Sequence, residues 1–124
     1  MNPLENAEEI VKVFENISAA SRLAILLVIG EGEACVCHLE AVLGKRQAYI
    51  SQHLMALRDA GIITPRRDGR FIYYRITDRG LFDLIRNAAR LAGVEITAPA
   101  ATTLCECPEC AEQKPGYLAS IDKA

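Results

Sequence analysis

Two cysteines stand one residue apart in Glu33-Ala-Cys35-Val-Cys37-His-Leu-Glu40, where an apolar helical pattern begins. Three chemistries fit such a pair. Buried thiols can be plain core filler, as free cysteines often are. Two neighbouring thiols can form a redox pair. Two thiolates are also the start of a soft-metal site. Residues i and i+2 do not share a face of a regular helix, so one ion can be held there only at a frayed or distorted helix start. A thiolate at a helix N-terminus has a lowered pKa, which aids metal capture. Three further cysteines follow at ligand-like spacing in Cys105-Glu-Cys107-Pro-Glu-Cys110.

The rest of the chain sets the context for these five thiols. Its 124 residues suggest one domain, and 51% hydrophobic residues suffice to bury a core. The N-terminal MNPLENAEEIVKVFEN has no signal-peptide core, and the apolar run Leu23–Ile29 is too short to span a bilayer. A soluble cytoplasmic protein is the expectation. In that compartment cysteines stay reduced, which ranks metal binding or catalysis above a disulfide framework.

Net charge is −2, but it is unevenly spread. Residues 45–79 carry Lys45, Arg46, Arg58, Arg66, Arg67, Arg70, Arg75 and Arg79 against Asp59, Asp68 and Asp78. That segment is +5 and the remainder −7. A basic middle in an acidic body is the footprint of a phosphate-binding face, although a solvated charged surface would look similar.

Periodicity supplies the scaffold. Leu4, Ala7, Ile10, Val11, Phe14 and Ile17 predict an amphipathic helix over 3–17. A second helix is expected over 21–29, capped by Ser18 or Ser21 and ended by Gly30 and Gly32. A short one over 36–43 stops at Gly44. Gln47–Ala60 follows, with Ile50, Leu54 and Leu57 inward and Gly61 as the stop. Residues 62–76 read as two strands around Asp68-Gly69, a strong hairpin signal. Asp78 opens a last helix over 79–92, with Leu81, Leu84, Ile85, Ala88 and Leu91 on one side. From Thr97 small and turn-prone residues take over. The division is therefore a domain over 1–96 and a Cys-containing tail over 97–124. The fold class is mainly α with a small β-hairpin wing, the layout of a winged helix-turn-helix.

The chain resembles the ArsR/SmtB family of metal-responsive winged-helix repressors. The matching blocks are Ala20-Ser-Arg-Leu-Ala-Ile-Leu26, Ala34-Cys-Val-Cys-His-Leu39, Ser51-Gln-His-Leu-Met-Ala-Leu-Arg-Asp-Ala-Gly-Ile62 and Arg67-Asp-Gly-Arg-Phe-Ile-Tyr-Tyr-Arg-Ile76. The resemblance implies a homodimer built largely from the first and last helices. It also implies binding to double-stranded operator DNA, and release when an effector binds.

On that template the helix from Gln47 is the recognition helix. Gln47, Tyr49, Ser51, Gln52 and His53 would face DNA; Gln pairs bidentately with adenine and Ser reaches bases or phosphates. Lys45 and Arg46 stand at its start, where helix N-termini favour phosphate. Arg66, Arg67 and Arg70 flank the wing tip. Many relatives carry Ser-Arg-His where this chain has Ser51-Gln52-His53, which points to a different operator. Of Tyr73 and Tyr74, one is expected in the core and one outside.

The family's metal sites differ in their ligands. The arsenic-type Cys-x-Cys-x-x-Cys has Glu40 at its third position here. The cadmium- and lead-type N-terminal cysteines are absent, and the zinc- or nickel-type site on the last helix has Asp83 but no His. The expected replacement is Cys105, Cys107 and Cys110 folding back onto Cys35 and Cys37 of the same or the other subunit. A separate trigonal As(III) site on the three tail cysteines is the alternative. Three or four thiolates select As(III), Sb(III), Cd(II), Pb(II) or Zn(II). His38 and Glu40, beside the pair, are expected to be solvent-exposed. Rival functions are a thiol-redox or persulfide sensor on the same fold, and a metal-buffering protein without DNA binding. No phosphate loop, catalytic triad or paired carboxylates suggest an enzyme.

Overall fold

The computed structural model describes residues 1–96. Five helices and three short strands follow in the order α1 (Pro3–Ile17), α2 (Ala20–Ile29), β1 (Ala34–Cys35), α3 (Val36–Leu43), α4 (Gln47–Asp59), β2 (Ile63–Asp68), β3 (Phe71–Ile76) and α5 (Arg79–Ala92). The tail, and with it Cys105, Cys107 and Cys110, lies outside the described residues.

Local chemistry explains most boundaries. Asn2 and Glu5 close a capping box on α1, with Pro3 at its first turn. The Asp78 carboxylate accepts from the Gly80 N–H at 2.8 Å and starts α5. Gly44 ends α3 at φ 67°, ψ 29°, a left-handed cap that favours glycine. Helix α2 departs from expectation: it starts at Ala20 behind Ala19, with no side-chain cap. Ser21 is one residue inside and turns its hydroxyl to Tyr49 instead.

The sheet runs β1-β3-β2, antiparallel throughout. Asp68 is still paired, opposite Phe71, so Gly69 and Arg70 form the two-residue connection. Gly69 takes a φ of 63°, as the first residue of a II′-type hairpin turn requires. The third strand, β1, was not expected. It is two residues long, and Ala34 and Cys35 pair with Tyr74 and Tyr73. Tyr74 packs into the main core and Tyr73 against Cys35, Cys37 and Phe71 on the other face, so both tyrosines are buried rather than one.

The core gathers Ile25, Leu26, Leu39, Ile50, Leu54, Leu57 and Ile63 from α2, α3, α4 and β2. Phe82 and Ile85 dock α5 onto it. α1 contributes only Ile17, and its other apolar side chains stay exposed.

Candidate metal centre and nucleic-acid interface

The cysteine pair sits on a strand-to-helix junction. Cys35 ends β1 and is also the N-cap of α3, with extended backbone at φ −91°, ψ 167°. Cys37 is two residues into the helix. The change of direction between them defeats the i, i+2 rule, and their Sγ atoms lie 3.2 Å apart. Cys35 is buried against Tyr73, with Cys37 and Phe71 packed alongside. Cys35 takes part in no disulfide, and a site using both sulfurs belongs to the reduced protein.

The donor set fits a soft ion. The edge of a tetrahedral ZnS4 site with Zn–S near 2.3 Å is about 3.8 Å, so the pair needs to open by only about half an ångström. Two sulfurs do not complete a site, and the described residues hold no group of three or more His, Cys, Asp or Glu able to bind a metal.

His38 and Glu40 are half-buried rather than exposed. Burial lowers the pKa of His38 from 6.5. The folded protein therefore keeps the ring neutral where the unfolded chain takes up a proton. This group's stabilisation is present above pH 6.5 and is lost as pH falls through the folded pKa. His38→Gln is expected to flatten the fall in melting temperature between about pH 7 and 5. An unchanged slope in thermal melts would contradict that assignment.

Helix α4 presents two distinct faces. Ile50, Leu54 and Leu57 anchor it in the core. Tyr49 and His53, one turn apart, face α2. Their rings meet edge to face at 4.9 Å. The Tyr49 hydroxyl hydrogen-bonds Ser21, and His53 Nδ1 accepts from Arg22 Nε at 3.3 Å. Arg22 Nη1 also donates to the Asn16 carbonyl at 3.2 Å, which ties the end of α1 to α4. Tyr49 and His53 thus hold the helix in place. Arg22 was missed by sequence reasoning; its one signal was a lone charge in the apolar stretch of α2.

The outward stripe of α4 is Ala48, Gln52 and Met55, with Ser51 half-buried beside it. Of these, Met55 was not anticipated, and it is 54% exposed. Gln47 is exposed at the helix start, beside Arg46, the N-cap, and Lys45, whose Nζ lies 5.4 Å from the Tyr49 ring centre. On the wing, Arg67 is exposed opposite Ile72, and Arg70 sits in the turn with its guanidinium 5.1 Å from the Phe71 ring. Arg66 is engaged elsewhere. Its Nε donates to both Glu33 carboxylate oxygens, at 3.1 and 2.9 Å, and its Nη2 donates to Oε1 at 2.7 Å.

Comparison with known proteins fits this arrangement. A family described as "Bacterial regulatory protein, arsR family" matches residues 20–64, from α2 through the start of β2. The arsenical resistance operon repressor of Escherichia coli K12 is 37% identical over 68 residues, covering 54% of this chain and 58% of the repressor. A Staphylococcus aureus homolog of the cadmium resistance regulatory protein CadC is 33% identical over 85 residues, covering 68% and 70%. Among solved structures, the transcriptional repressor BigR from Xylella fastidiosa superposes with a TM-score of 0.66 at 31% identity, over 70% of this chain and 89% of that one.

Proposed function

The chain belongs to the arsR family of bacterial regulatory proteins, whose members are transcriptional regulators rather than enzymes, and from that premise we propose that it is an operator-binding repressor released by a soft metal or metalloid ion. The working unit is a homodimer in the cytoplasm. Two α4 helices enter successive major grooves, with Gln47, Ser51 and Gln52 at base edges and Met55 available to a thymine methyl. Lys45, Arg46, Arg67 and Arg70 neutralise phosphates. Among the described residues no helix is long and apolar enough to cross a membrane.

The observation that carries the effector half is the 3.2 Å approach of the two sulfurs at the head of α3. α3 packs on α4, and together they are the helix-turn-helix. An ion held by Cys35, Cys37 and one or more of Cys105, Cys107 and Cys110 acts where it can tilt the recognition helix. It releases DNA only by binding the DNA-incompetent conformation better. As(III), Sb(III), Cd(II), Pb(II) and Zn(II) share the required thiophilicity. Relatives named for arsenical and cadmium resistance support that range.

The test is a titration of reduced protein on labelled DNA from its own promoter with As(III), Cd(II), Pb(II) and Zn(II), followed by anisotropy. Release by one ion is expected. Tight binding indifferent to all four would favour a second reading, a thiol-redox or persulfide switch, for which the sulfur contact speaks. Failure to bind DNA in any state would refute the repressor.

The wing makes a separate prediction. Arg67→Gln and Arg70→Gln each remove two phosphate contacts per dimer, and should each reduce the slope of log affinity against log salt by about 2 and weaken all sequences alike. An unchanged slope would remove that arginine from the phosphate contacts.

A further inference from the structure

Glu33 and Arg66 form a forked ion pair beside the wing. Strand register explains what they do. Cys35 stands opposite Tyr73 across β1 and β3, and Tyr73 stands opposite Arg66 across β3 and β2. Directly opposed residues put their side chains on one face of a sheet. Glu33, two residues before Cys35, leaves the chain on that same side. The contacts agree with the register. The Arg66 guanidinium lies 4.7 Å from the centre of the Tyr73 ring, which is only 1% exposed and packs on Cys35. Beyond the ring, the guanidinium closes on the Glu33 carboxylate. A row of four side chains thus runs from the sulfur pair to the wing.

The topology gives the outer contact its importance. β1 and β2 are not hydrogen-bonded to one another, because β3 lies between them. The β1 ladder has only two residues and is a weak lever by itself. The Glu33–Arg66 pair links the segment carrying Cys35 directly to β2, over the top of Tyr73. A forked Arg–carboxylate pair fixes geometry as well as distance, which a lysine cannot do.

We propose that Glu33 and Arg66 are positioning residues that carry the state of the cysteine pair to the DNA-binding wing. Opening of the Cys35–Cys37 pair shifts the end of β1. The clamp makes β2 follow, and the presentation of Arg67 and Arg70 changes with it. This rests on the reading of Cys35 and Cys37 as the effector site. It adds a route to the wing beside the one through α3 and α4.

The test compares wild type, Glu33→Gln, Arg66→Lys and the swap Glu33→Arg/Arg66→Glu as reduced full-length proteins. The ion is whichever of As(III), Cd(II), Pb(II) or Zn(II) most weakens wild-type DNA binding. DNA affinity is measured with and without it at fixed salt, and ion uptake is read from thiolate–ion absorption. Arg66→Lys keeps the charge and loses the fork. Glu33→Gln shifts both affinities by the same charge term, so the ratio is the readout. For wild type a ratio of about 5–150 is expected. In each single variant ion uptake should persist while the ratio falls at least about threefold below the wild-type value, the remainder passing through α3 and α4, and the swap should recover it. Single variants with unchanged ratios would overturn the link and leave the effector site standing. Loss of ion uptake in both would also overturn it, because the pair would then build the site rather than transmit from it. A wild type indifferent to every ion would fail earlier, at the effector site itself.

Discussion

Protein carrying Cys35→Ser and Cys37→Ser is expected to bind operator DNA within a few-fold of wild type and to ignore the ion that releases wild type. The effect is the whole allosteric coupling, on the order of 1–3 kcal/mol. The cause is local. Serine oxygens are hard, poorly ionised donors and do not replace thiolates toward soft ions. No other cysteine lies among the described residues to take their place. Cys35 is 2% exposed, so a hydroxyl there is buried and costs stability unless it finds a partner. Cys37→Ser alone, at a half-buried position, controls for that. It should lose most of the response with a smaller fall in melting temperature. Normal release by the double variant would place the effector elsewhere, with Cys105, Cys107 and Cys110 as the first candidates.

The second large effect is expected at the apolar face of α1. Leu4, Ile10, Val11 and Phe14 are 69%, 53%, 45% and 46% exposed, and Leu91 of α5 is 80% exposed. An apolar cleft of about 340 Å³ opens between the two helices, lined by Phe14, Leu27, Leu84, Ala88 and Ile96. A run of this kind on one monomer marks an interface. A two-fold partner seated there would cover it with the same residues. Ile10→Glu/Phe14→Glu should give a folded monomer by sedimentation, because neither side chain is in the core. Its operator affinity should fall by about 100-fold or more, since two linked half-sites give way to one. A double variant that remains dimeric with unchanged affinity would rule this face out as the dimer seam.

How much of this was legible in the chain depends on the range of the interaction. Helices α1, α3, α4 and α5 were legible because periodicity, caps and glycine stops are local signals. The start of α2 was not, because Ala19 caps nothing and Ser21 was claimed by a hydroxyl 28 residues away. β1 was invisible for a plainer reason: two residues carry no alternation, and only β3 makes them a strand. The missing strand mattered most. Helical spacing alone separates Cys35 from Cys37, and the strand-to-helix corner brings them into contact. Arg66 shows the same limit from the other direction. Its place beside the wing tip suggested phosphate, and nothing local signalled its pairing with a carboxylate 33 residues earlier. Exposed Gln47 and Gln52, and the inward Ile50, Leu54 and Leu57, stand where the sequence put them, since one helical period determines all of them.

One titration tests the central claim most directly. Reduced wild-type protein saturated with labelled operator DNA is titrated with the releasing ion. Thiolate–ion absorption and DNA anisotropy are read from the same cuvette. The account predicts that both change together and end at the same ion-to-protein ratio, and that both signals are absent in Cys35→Ser/Cys37→Ser protein. DNA release complete before any thiolate–ion absorption develops, or absorption that saturates with the DNA still bound, would contradict it.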